Sequence, residues 1–351
     1  MILGSLALMI GGCLLVVFST SFGAFVPILA ALFVLAAGFT ALQVAANPLA
    51  ADLGPPQRSH FRLNFAQAFN SLGVVLGVHF GSLVMLSDPT LHSAPSAFAE
   101  PAVRDSLLGA VDRAFLIMSA MLGVLLLFFI ALRRFLERAA PDHRHPVPTG
   151  MFDALRSRWA IFGAVAIGLY VGAEVSIGSI MINFLNQPDV LGVPVETAGG
   201  YLANFYWGGA LLGRIVGTLL LTRVRAGGLL ATCGLIAAML CFVVLATDGP
   251  VAGYAALAIG FFNSIMFPTI FTITLERSGV SQSATSGLLC LAIFGGAVLP
   301  IAVGAIADTF GLSASFIVPL AAYVFIASFA IAARGGNDPA REPDVTASPI
   351  P

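Results

Sequence analysis

Long apolar runs separated by short polar stretches make up almost the whole chain. A helix needs roughly 20 residues, at about 1.5 Å each, to cross a hydrocarbon layer. About ten runs reach that length, near residues 2–20, 26–51, 62–86, 111–135, 159–186, 198–222, 227–247, 250–275, 283–307 and 314–333. Backbone polar groups in lipid must pair within their own segment, and the runs are far too long for barrel strands, so each predicts an α-helix. Residues 1–24 lack a basic start and lead at once into another apolar run, so they predict a first span and not a cleaved leader. The expected fold class is an all-α integral membrane protein.

Composition agrees. Of 351 residues, 58% are hydrophobic and 9% charged, whereas soluble domains carry about 25% charged residues. The formal net charge of −1 implies no polyanionic partner, which excludes a nucleic-acid binder. All sixteen basic residues are arginine, and their placement sets an orientation. With Met1 inside, thirteen fall in inside segments, Arg104 and Arg113 fall outside, and Arg214 lies within a span. That asymmetry predicts a multi-pass protein with both termini in the cytoplasm. Arg214 is expected to snorkel to the inner surface. The four cysteines sit inside apolar runs and read as small hydrophobes. No nucleophile–base pair, metal-ligand spacing or phosphate loop is present, so neither an enzyme nor a cofactor or metal is expected.

The longest inside loop, 137–158, is proline-broken and basic, and it divides the chain. The predicted organisation is a partial four-helix half over 1–136, a cytoplasmic linker over 137–158, a six-helix half over 159–335 and a cytoplasmic tail over 336–351. An internal repeat bears on this. "AAGFTALQVAANP" in the second span aligns with "AIGFFNSIMFP" in the eighth, with Gly38 on Gly260 at an offset of 222. Gly73, Gly77 and Gly81 in the third span match Gly296, Pro300 and Gly304 in the ninth at an offset of 223. Two motifs at nearly one offset indicate a duplicated unit. Spans one to four then pair with spans seven to ten, and spans five and six have no upstream partners. A six-plus-six protein whose first two helices are absent from this chain is the simplest account.

Polar residues inside the spans mark candidate chemistry. Thr40, Gln43 and Asn47 form one helical stripe, with Pro48 predicting a bend just after it. Asn64, Gln67 and Ser71 form a second stripe, with Asn70 at its edge. Side-chain amides both donate and accept, as sugar hydroxyls require; the alternative is interhelical bonding that only holds the bundle. In "YLANFYWGGALLGRIVG", Tyr206 and Trp207 offer flat faces with Asn204 nearby, or else form an interfacial belt. Gly209, Gly213 and Gly217 make a ridge for tight helix contact. His79 is a weak relay candidate, and Asp52, Glu276 and Asp308 lie near span ends. Glu174 stands alone, fifteen residues past Trp159 and so roughly 22 Å along its helix, near the midplane. An ionised group there costs about 2.5–3.5 kcal/mol. Glu174 therefore faces water in a cavity, carries a proton, or bonds a neighbouring helix as a neutral acid.

"LQVAANP", "RLNFAQAFNSLG", "YVGAEVSIGS", "YWGGALLGR" and "FNSIMFPTIF" occur in order along nearly the whole chain. They resemble motifs of the fucose–galactose–glucose:proton symporter family of the major facilitator superfamily. The resemblance implies a major facilitator fold, here equivalent to helices 3–12, and proton-coupled uptake of a neutral hexose across the bacterial inner membrane by alternating access. It carries over cavity roles to Gln43, Asn47, Gln67 and Asn70, with Asn204, Trp207, Asn263 and Phe267 as further sugar-binding candidates and Glu174 as the proton-coupling candidate. Glutamine at position 43 and phenylalanine at 267 depart from the fucose branch and resemble the glucose/galactose branch. The family's first-span aspartate has no counterpart here. The implied partners are a sugar, a proton and the bilayer, with the chain a monomer. Two rivals stay open: a transporter of another solute, such as an amino sugar or small drug, and a non-transporting membrane protein or sugar sensor. Two causes would give two absent helices, a start placed too far downstream or a real truncation; under the first, the DNA upstream of Met1 should encode, in frame, two further apolar spans, and sequencing it is the check.

Overall fold

The computed structural model describes residues 1–22, 25–55, 58–85, 101–139 and 152–334, without the side chains of 78–85, 101–107, 136–139 and 196. His79 therefore lies outside the described side chains. Most of the predicted linker and the predicted tail lie outside the described residues.

Among the described residues, helices occupy all ten predicted runs. They are α1 (Ile2–Thr20), α2 (Phe25–Asp52), α3 (Ser59–Met85), α4 (Pro101–Ala139) and α5 (Arg158–Asn186). The sixth run is α6 (Val195–Tyr201), a π-helical stretch (Leu202–Trp207) and α7 (Gly208–Leu220). There follow α8 (Ala226–Ala246), α9 (Gly249–Asn263), α10 (Met266–Arg277), α11 (Gln282–Ala292), α12 (Gly295–Phe310) and α13 (Ile317–Arg334). Among the described residues, eight stretches are long and apolar enough to cross a membrane as they stand. The other two are α3, polar over its first turns, and the sixth run, which the π-helical stretch interrupts.

The chain forms two compact units. The first comprises Met1–Leu49 and Leu72–Asp142. Its core is the inward side of α1, with Leu6, Met9, Cys13 and Val16 buried. Gly12 and Gly38 let α1 and α2 touch closely: a Cβ on Gly12 would come 2.7 Å from the Leu35 backbone, and one on Gly38 would come 2.9 Å from the Met9 nitrogen. Thr20 donates to Asp112 at 2.8 Å and ties α1 to α4. Few side chains of α2 and α4 are buried, and large apolar ones such as Phe33 and Met121 are exposed. Lipid tolerates that exposure, since acyl chains are as apolar as the side chains themselves.

The second unit comprises Ala50–Ser71 and His143–Pro351. The turn between α2 and α3 thus packs with the second unit. Gly54 has a φ of 126°, open to glycine at little strain, and lets the chain reverse. Arg62 then donates back to the carbonyls of Ala50 and Ala51 in the last turn of α2, and to that of Pro55 in the turn beyond it. Helix α5 runs deep in this unit, with Tyr170, Ile177, Met181 and Phe184 inside. Its start is capped by Ser157, which accepts from the Ala160 nitrogen at 3.3 Å and donates to the Ser278 carbonyl at 2.6 Å. Trp159, Phe162, Phe325 and Phe329 pack edge-to-face around that end, with Arg277 lying 5.0 Å over the Trp159 ring.

The glycine ridge of α7 works as its spacing predicts. A Cβ on Gly213 would land on the carbonyl oxygen of Phe261 in α9. Gly304 of α12 has open space where a Cβ would go. Gly213→Val should therefore destabilise the purified protein by about 1–3 kcal/mol. Gly304→Ala should leave the melting temperature in detergent unchanged or slightly raised.

Candidate functional site

Two groups of polar side chains inside the second unit meet through one arginine. The first surrounds Glu174 in the middle of α5. Tyr170, one turn earlier, donates its hydroxyl to the Glu174 carboxylate at 2.7 Å, the i, i+4 geometry of one helix face. Tyr206 of the π-helical stretch donates to the Glu174 backbone carbonyl at 3.2 Å. Asn263, at the end of α9, in turn donates to the Tyr206 hydroxyl at 3.2 Å. Trp207 stands edge-on to Tyr206, with ring centres 5.1 Å apart. Phe267 lies 6.5 Å from the Tyr170 ring. Tyr170, Tyr206 and Asn263 are fully buried, whereas Glu174, Trp207 and Phe267 are only partly so. The result is an acid held by a phenol and ringed by aromatics, with one side accessible.

The π-helical stretch helps produce this. A π turn carries an extra residue per turn and re-aims the side chains around it. Here it sets Tyr206 inward toward α5 and α9, while Asn204 and Phe205 are exposed.

The second group lies on the first turns of α3. Asn70 donates to the Gln67 side chain at 3.2 Å; Gln67 is half-buried and Asn70 exposed. Asn64 is buried and donates to the Thr269 hydroxyl at 3.3 Å. Below them His60 shares a short hydrogen bond with the Thr272 hydroxyl and stands 3.3 Å from the Glu276 carboxylate. Ser59 donates to the same carboxylate at 2.6 Å. Gln282 donates to Asp52 at 3.2 Å. The acids near span ends are thus engaged by neighbouring side chains at Asp52 and Glu276, while Asp308 is exposed.

Arg214 corrects the sequence reading. It does not snorkel to a surface: it is 7% exposed, with Nε donating to the Ser264 carbonyl and Nη1 to the Gln67 carbonyl, both at 2.8 Å. The reason lies in α10. Pro268 has no N–H, so the Ser264 carbonyl four residues earlier has no helical donor, and the helix breaks between Asn263 and Met266. An orphaned carbonyl within the helix pack is a nearer acceptor than the membrane surface. No isolated motif around Arg214 announces this; the proline that frees its acceptor is 54 residues away.

The predicted residues fall as follows. Glu174, Trp207, Asn263 and Phe267 gather around Tyr170 and Tyr206. Gln67 and Asn70 pair with each other and reach that group through Arg214 and Ser264. Asn204 is exposed on the π-helical stretch and has no hydrogen bond to the cluster. Gln43 and Asn47 belong to the first unit, Gln43 half-buried and Asn47 buried, while Thr40 of the same stripe is exposed and bonds back to the Ala36 carbonyl. Tyr170, His60 and Ser59 were not singled out by sequence, and Arg214 was given only a snorkelling role. Tyr170 had a signal, its i−4 spacing from Glu174; the others depend on contacts distant in the chain.

A helical bundle of membrane-crossing length, in two units, with an acid and paired amides inside the spans, is the build of a multi-pass membrane transporter. The family model for the Major Facilitator Superfamily matches residues 1–289. The chain is 38% identical over 327 residues to a glucose/galactose transporter of Brucella abortus, an alignment covering 91% of this chain and 74% of that protein. It is 30% identical to an L-fucose-proton symporter of Escherichia coli, covering 86% of this chain and 70% of that one. Among solved structures, the major facilitator transporter FucP, in its outward conformation, superposes with a TM-score of 0.79 at 26% identity, covering 95% of this chain and 82% of that one. The chain belongs to the major facilitator superfamily, alongside the glucose/galactose transporters and L-fucose-proton symporters.

Tyr206→Phe should remove the second donor on the Glu174 carbonyl, which keeps its own helical bond, and deprive the buried Asn263 amide of its acceptor, lowering stability by about 1–3 kcal/mol. In a double-mutant cycle with Asn263→Ala, the two losses should be less than additive, because each removes the same bond. Thermal melts of the purified single and double variants are the measurement.

Proposed function

We propose that the chain is a proton-coupled symporter that takes up a neutral hexose of the glucose/galactose type by alternating access, with both termini in the cytoplasm. One observation carries the reading: a carboxylate in the middle of a membrane span, held by a phenol and bordered by amides and aromatic faces, in a chain whose relatives are named as sugar transporters and a sugar–proton symporter. A neutral sugar gains nothing from the membrane potential alone, whereas a cotransported proton adds about 2.3 kcal/mol per 100 mV.

In this reading Glu174 takes and releases the coupling proton, and Tyr170 holds its carboxylate in place. Gln67, Asn70 and Asn263 supply hydrogen bonds to sugar hydroxyls; Trp207 and Phe267 pack against the C–H faces of the ring. Gln43 and Asn47 keep the sugar-binding roles that the family pattern implies for them, and Asn204 remains a further candidate at the edge of the π-helical stretch. Glutamine at 43 and phenylalanine at 267 favour glucose or galactose over fucose.

The test is uptake of labelled glucose and galactose into membrane vesicles, with and without a protonophore. The unaltered chain should accumulate one of them only while the proton gradient stands. Glu174→Gln should abolish that accumulation, yet still exchange sugar across the membrane when no gradient is imposed. Gradient-driven uptake by Glu174→Gln with an unchanged pH profile would remove Glu174 from the mechanism.

A further inference from the structure

We infer that Arg214 is a positioning residue that links proton loading at Glu174 to the grip of the sugar-binding amides. The inference rests on the symporter reading and assigns a coupling route within that same site.

Arginine cannot shed its charge under physiological conditions. A guanidinium that is 7% exposed inside a helical span must therefore be met by acceptors. The two that meet it come from different elements. The Ser264 carbonyl belongs to the break between α9 and α10 and is free because of Pro268. The Gln67 carbonyl belongs to α3, and the side chain of that residue accepts from Asn70. Arg214 therefore fixes the height and rotation of the α3 turn from which both amides project. Neither contact is an ion pair, so the positive charge is stabilised only by dipoles at short range.

The other end of the chain of bonds is the acid. Ser264 follows Asn263, which donates to Tyr206, which donates to the backbone of Glu174. Glu174 and Arg214 also act on each other electrostatically, at longer range than a salt bridge. The groups facing this acid are Tyr170 on its own helix, Tyr206 on the π-helical stretch and Arg214 on α7, with Tyr323 of α13 next to the two phenols. Of these, Arg214 alone is a cation.

Ionised Glu174 thus competes with the Ser264 and Gln67 carbonyls for the guanidinium. A proton on Glu174 removes that competitor. The guanidinium then settles on the two carbonyls, and the amide-bearing turn of α3 is held firmly for sugar. The order that follows is proton first and sugar second, with affinity for sugar rising as pH falls.

The experiment is sugar counterflow, with no imposed gradient, measured as KM for labelled glucose or galactose between about pH 5.5 and 8. The unaltered chain should show KM falling with pH. Arg214→Gln should raise KM on the order of tenfold, as for loss of a charge-assisted hydrogen bond, and should flatten its pH dependence. Arg214→Lys keeps the charge without the two-pronged reach, and should raise KM while retaining some pH dependence. Glu174→Gln should show a low KM that no longer varies with pH. If Arg214→Gln is missing from the membrane, Arg214→Lys and Glu174→Gln decide the matter on their own. A KM and pH profile in the Arg214 variants equal to those of the unaltered chain would overturn the inference while leaving the symporter reading intact. Absence of any counterflow in the unaltered chain would sink both.

Discussion

Inside a bilayer, water does not reach every polar group, and each donor, acceptor and charge left unmatched costs several kcal/mol. The second unit is organised around that constraint. Pro268 removes a backbone donor, the Ser264 carbonyl is left over, and Arg214 supplies what is missing. The same side chain reaches the Gln67 carbonyl, so a repair in one helix fixes the position of another. A buried arginine costs too much to serve as filler. It is accommodated here by carbonyls on two sides, one of which, that of Ser264, has lost its own helical donor to Pro268.

Around this link the unit alternates close packing with irregular backbone. Gly213 brings α7 against α9, and Gly295 brings α12 onto the backbone of Gly168 in α5. Such contacts bring helices together where lipid offers no hydrophobic drive for association. The π-helical stretch and the break after Asn263 do the opposite: they interrupt regular hydrogen bonding and turn Tyr206 and Asn263 toward Glu174. Irregular backbone at membrane depth is tolerated where protein groups satisfy it. Here those groups are the residues around the acid, so the irregular backbone and the chemistry of the site share one location.

The turn between α2 and α3 shows a second use of the same economy. Arg62 closes the end of α2 by meeting three carbonyls, and Ser59 and His60 gather on Glu276. Glu276 is the last-turn carboxylate of α10, the helix that begins just after the Ser264 break. The polar contacts of α3 therefore run the length of α10, from Glu276 through Thr272 and Thr269 to the carbonyl that Arg214 holds.

By itself the sequence determined the helices and their solvent. Runs of some 20 apolar residues have one backbone solution in lipid, so the ten helical runs fall where hydropathy puts them, without the breaks inside three of them, and the glycine ridge of α7 announced a tight contact. It also singled out Glu174, because an acid in such a run demands an explanation whatever surrounds it. Tertiary structure alone decided the partners. Tyr170 was one turn away and legible in principle, but Tyr206, Asn263 and Arg214 reach the acid or its neighbours from three other helical segments. Arg214 is the sharpest case: its snorkelling follows from a helix considered alone, and its burial follows from a proline in another helix. A side chain's own segment states what it needs; which acceptor lies nearest is a property of the packed bundle, and no local pattern encodes that distance.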